Sequence, residues 1–213
     1  MRGLSKKEVD YIAIAEEMER LTKDWEIACE QKNKSDCDEI YREICDTLHV
    51  IMYSHDGVLA YMASHMTADD YYSTEPNQKY AEERVTFDLE ELNRKLKIKA
   101  DEKKEATITY LTNAIDSLWD LVRTLPPKSQ NKMKKECICL LEKKGISKNQ
   151  MLLQDDGEPA IWNCLICLCN EVVTRPFNNE WAKQVEMWIR GIEKRYPIVK
   201  ASVKFHNTVR RVY

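Results

Sequence analysis

The sequence predicts an all-α protein: a helical bundle with a long central helix or broken helix and a smaller C-terminal helical lobe. Three observations predict it. Five glycines and six prolines in 213 residues leave little turn material, so the elements must be long and the connections short. From Asn77 to Leu125 there is neither Gly nor Pro. Apolar residues there step by three and four, at Val85, Leu89, Leu92 and Leu96 and again at Ile108, Leu111, Ile115, Leu118, Val122 and Leu125, the period of one helical face.

Taken in order, Ser5-Lys6-Lys7-Glu8 reads as a capping box opening a first helix to about Gln31, with Ile12, Ala15, Leu21 and Trp25 inward. "NKSD" is a turn. Ser35 to Asp38 can cap a second helix to about Met66, with Ile40, Ile44, Leu48, Ile51, Leu59 and Met62 inward and Gly57 a weak point midway. Pro76 marks the start of the central element, in which "KADEKKEA" is either an exposed segment of one rod or a hinge between two helices. Pro126-Pro127 ends it, because proline removes a backbone donor and biases the preceding residue toward extended geometry. Beyond lie "SQNKMKKECICLLEKKG", "EPAIWNCLICLCNEVV" and "NNEWAKQVEMWIRGIEKRY", three further helices. The second is apolar nearly all round and is expected at the centre of its lobe. The third carries Trp181, Val185, Trp188 and Ile192 on one stripe. The tail from Ile198 alternates with a strand-like period.

Charge divides the chain. Residues 1–125 hold 17 Lys and Arg against 27 Asp and Glu, and residues 126–213 hold 16 against 9. We therefore expect an acidic N-terminal helical region, 1–125, and a basic, Cys- and Trp-containing C-terminal lobe, 126–213. No apolar run reaches membrane-spanning length, and acids stand where a signal peptide needs apolar residues, so the expected location is cytoplasmic or nuclear. The eight cysteines are then expected as reduced thiols. "KKECICLL" and "NCLICLCNEVV" offer enough sulfur for a zinc site, but their neighbours are apolar, which favours buried thiols.

The stretch with most chemistry is "REICDTLHVIMYSHDG", Arg42 to Gly57. Residues three apart share a helical face, so Glu43 and Asp46 point one way, as do Glu16 and Glu19 on the preceding helix. Four carboxylates on adjacent antiparallel helices make an oxygen-rich site of the kind magnesium prefers. Glu16-x-x-Glu19, 23 residues, then Glu43-x-x-Asp46 resembles the signature of the all-α nucleoside triphosphate pyrophosphohydrolases, the MazG-like and dimeric dUTPase group. "EICDTLHVIM" is similar to the run after that family's second acidic pair, with His49 placed like a histidine of the dimeric dUTPases. The similarity covers Ala13 to about Tyr53. It implies that Glu16, Glu19, Glu43 and Asp46 hold magnesium that activates water for attack on a phosphate chain.

His55-Asp56 is the dyad of HD-type phosphohydrolases, but the nearest upstream histidine, His49, lies on the same predicted helix. Asp46-x-x-His49 is half of a di-iron motif and has no second copy. No Gly-framed serine, activated cysteine or phosphate-cradling loop appears.

The basic C-terminus, with Lys194, Arg195, Lys200, Lys204, Arg210 and Arg211 among Tyr196, Phe205, His206 and Tyr213, can pair phosphates and stack bases, or dock a protein. The function expected foremost is non-enzymatic: an adaptor or regulatory protein binding a protein partner, or itself, through helical surfaces such as Leu111 to Leu125, with no cofactor. Magnesium-dependent pyrophosphohydrolysis is the alternative, and nucleic-acid binding the second.

Overall fold

A computed structural model describes residues 9–68, 72, 77–151, 159–174 and 176–197. These contain seven α-helices and a short 3₁₀ turn. The helices are α1 Tyr11–Glu30, α2 Lys34–Met52, α3 Gly57–Thr67, α4 Gln78–Thr124, α5 Pro127–Lys143, α6 Ile161–Thr174 and α7 Asn179–Arg195. The fold is all-α.

Several helix ends differ from expectation, each for a local reason. Asp10, not Ser5, opens α1, its carboxylate accepting from the Ala13 amide at 3.3 Å, and the Ser5–Glu8 capping box lies outside the described residues. Asn33 rather than Ser35 caps α2. The helix expected to run on to Met66 breaks at Tyr53–Asp56. There Asp56 Oδ1 accepts from the Val58 and Leu59 amides, both at 3.1 Å, and starts α3. A side-chain acceptor ahead of Gly57 outcompetes helix continuation through a residue of poor helical propensity. In contrast, α4 is continuous through "KADEKKEA" over 47 residues. Pro127 sits in the first turn of α5, where its missing donor costs nothing, and Gly145 ends that helix region at φ +87°, a conformation L side chains rarely adopt.

By packing, the chain forms two compact units, Met1–Lys103 and Lys104–Tyr213. In the first, Met18, Leu21 and Trp25 of α1, Tyr41, Ile44 and Leu48 of α2, Leu59 and Ala63 of α3 and Val85 to Leu96 of α4 share one core. Trp25 is fully buried, its indole Nε1 donating to Thr86 Oγ1 at 3.0 Å. In the second unit, Leu111 to Val122 of α4 pack with α5, α6 and α7. The seam expected as an association face is thus core of its own unit, and it falls with the C-terminal helices although the charge count grouped it with the N-terminal region. Helix α6 buries Cys164, Leu165 and Leu168 but leaves Ile166 and Val173 exposed, so it is central on one face only.

Candidate functional site

The four carboxylates that resemble a magnesium site stand on α1 and α2 as their spacing predicts, and all four are solvent-exposed. Basic side chains already serve two of them. Glu19 pairs with Lys23 at 2.8 Å, and Glu43 with Arg20 at 3.1 Å. Arg20 also reaches Glu17 and Asp24, each at 2.7 Å, and its hydrogen bond holds the Glu17 carboxyl below the ordinary carboxylate range. The acidic surface between the helices is therefore organised around a guanidinium.

The remainder of "REICDTLHVIMYSHDG" divides between core, solvent and a helix cap. Ile44, Leu48 and Ile51 are core, and His49 and His55 face solvent. Asp56 caps α3 and meets Lys99 Nζ at 3.1 Å; the backbone amide of Leu59, more than the lysine, holds its carboxyl low. Among the candidate basic residues, Lys194 is exposed on the last turn of α7. Arg195 makes a bidentate pair with Glu136, Nη1 to Oε1 at 2.8 Å and Nη2 to Oε2 at 2.6 Å. Lys200, Lys204, Arg210 and Arg211, with the strand-like alternation, lie outside the described residues.

Two features were not singled out by the sequence motifs. The first is α3. Its eleven residues, GVLAYMASHMT, include no Asp, Glu, Lys or Arg, yet only Leu59, Ala63 and Met66 are buried. Val58 and Tyr61 are 57% and 72% exposed, and the Tyr61 ring stacks on His65 with centroids 6.3 Å apart. Together with Met62, Asp88, Glu91 and Lys95 these residues line a groove of about 330 Å³ between α3 and α4. A helix scanned for its inward face reads as core, and the apolar residues left over on its outer face go uncounted.

The second is a sulfur and carboxylate cluster where the end of α1 meets the start of α2. Cys29 and Cys37 Sγ lie 3.9 Å apart, and a Glu82 oxygen from α4 joins them with all donors within 4.8 Å of one another. Among the described residues this is the one such group of three or more His, Cys, Asp or Glu side chains. Of the cysteines in the two sulfur-rich stretches, expected as buried thiols, Cys137 and Cys164 are buried, Cys167 and Cys169 are partly buried and Cys139 is exposed; all eight cysteines are free thiols. No family model, curated protein or solved structure matches this chain.

Proposed function

We propose that this protein is a non-enzymatic interaction module whose first unit binds an amphipathic helix of a protein partner in the α3–α4 groove. The observation that carries the reading is the uncharged, outward-facing surface of α3. Covering a large apolar side chain contributes about 1.5–3 kcal/mol, so Val58 and Tyr61 are costly to leave in water and gainful to cover. Tyrosine is also among the residues that dominate interface energetics. Residues 1–103 carry 15 Lys and Arg against 24 Asp and Glu, which favours a helix whose apolar face is flanked by basic residues. No helix among the described residues is long and apolar enough to cross a membrane.

The hydrolase alternative requires Glu16, Glu19, Glu43 and Asp46 to share an ion, and the pairs made by Lys23 and Arg20 weigh against it. The test places a photo-crosslinkable residue at Met62 in the wild-type background and in a Val58→Asp/Tyr61→Asp background. A defined protein adduct in the first and none in the second, with equal helicity, supports the reading. An adduct of twice the chain's mass identifies the partner as a second copy. Equal adducts in both backgrounds overturn it.

A further inference from the structure

We propose that Cys29, Cys37 and Glu82 form a mononuclear site for a zinc-class divalent cation. Two thiolates bound to zinc at about 2.3 Å in tetrahedral geometry stand about 3.8 Å apart. The Cys29 and Cys37 sulfurs are 3.9 Å apart, so the pair is set for a shared ion without movement of α1 or α2. Glu82 supplies the third donor from a different helix, within the same 4.8 Å span. Its carboxylate accepts from Gln78 Nε2 at Oε1, 2.8 Å, the kind of support that restrains a ligand's direction.

Tyr72 packs against the same core as Cys37. Its hydroxyl is buried and has no hydrogen-bond partner among the described residues, an arrangement that costs stability if nothing fills it. The ring is held edge-on to Trp25 at 5.7 Å, and burial above all pushes its hydroxyl up to about 12. Two sulfurs and one carboxylate suit a borderline-soft cation rather than magnesium, which prefers oxygen alone. The site shares no residue with the α3–α4 groove.

Cobalt(II) is the probe. The reduced, metal-stripped full chain is titrated with it, then with zinc, and followed by absorbance. The expected result is one cobalt per chain with tetrahedral visible bands and a thiolate-to-cobalt charge-transfer band, both abolished by zinc. Cys29→Ser and Cys37→Ser should each at least halve the charge-transfer band, while Cys139→Ser leaves it intact. Glu82→Gln, which keeps both thiols and the side-chain shape, should weaken cobalt binding by more than about tenfold, since loss of a group that merely supports a ligand already costs about 10–100-fold. Absence of the charge-transfer band, or its persistence in the Cys29→Ser/Cys37→Ser double variant, overturns the proposal. If Cys37→Ser loses helicity, Glu82→Gln decides alone, and unchanged affinity in it overturns the site.

Discussion

Arg195, on the last turn of α7, grips Glu136 of α5 through two parallel hydrogen bonds of 2.8 and 2.6 Å, and Trp188 Nε1 donates to the same carboxylate at 3.0 Å. A carboxylate accepting three bonds from two residues ties the C-terminal end of α7 into the second unit. It also explains why a residue that reads as a phosphate contact in the sequence has its guanidinium engaged within the fold.

Arg195→Met should therefore destabilise the second unit by about 1–2 kcal/mol, the range for a charge-assisted hydrogen-bond pair that remains partly exposed. The Arg195 hydrogen bonds, above all, hold the Glu136 carboxyl below its ordinary value. A depressed folded-state pKa contributes stability that is present above the unfolded value and lost as pH falls through the folded one. Urea unfolding at neutral and at acid pH checks both points: the difference between wild type and Arg195→Met should shrink on acidification.

Asp56 governs the break between α2 and α3. Asp56→Ala removes two capping bonds and the Lys99 pair, and should cost about 1–2 kcal/mol. Asp56→Asn keeps a good cap and should recover most of that loss. The Asp56 carboxyl is held low, so its contribution too is present at neutral pH and declines in acid. Denaturant midpoints of the two variants decide it; equal losses would mean that the Lys99 pair stabilises this junction more than the cap does.

Thiol reactivity should follow burial. Desolvation pushes the Cys29 thiol up to about 12, raises Cys37, and raises the deeply buried Cys137 well above its ordinary value, whereas Cys139 is exposed. Only thiolate attacks an alkylating reagent. Timed iodoacetamide labelling of the metal-free native chain near neutral pH, read by mass spectrometry, should modify Cys139 first and Cys137 last.

Core truncation should be severe at Trp25. Trp25→Ala should destabilise the first unit by about 3–5 kcal/mol, through the cavity and the loss of the donor to Thr86. Trp25→Phe retains most of the ring volume and should cost less. Chemical denaturation followed by circular dichroism gives both values.

Magnesium with nucleoside triphosphates should leave the melting midpoint unchanged, because a ligand raises it only by binding the folded state. A nucleotide-dependent rise that vanishes in Asp46→Asn would instead favour the pyrophosphohydrolase reading over the interaction module.

By itself the sequence determined the secondary structure class, the inward residues of nearly every helix and the proline stop at the end of α4. These follow from local chemistry: a 3.6-residue period is visible wherever burial is one-sided, and proline acts on its immediate neighbours. It left open whether residues 77–125 make one helix or two, since a charged stretch without Gly or Pro is compatible with both. Tertiary structure decided which charges meet. Spacing put Glu43 and Asp46 on one face, but only the rotation of α1 against α2 set Arg20 beside Glu43. Glu82 and the Cys29–Cys37 pair stand far apart in the chain, and Trp25 finds Thr86 across 61 positions. Such convergence depends on the register between helices, which many weak packing contacts fix together and no short motif records.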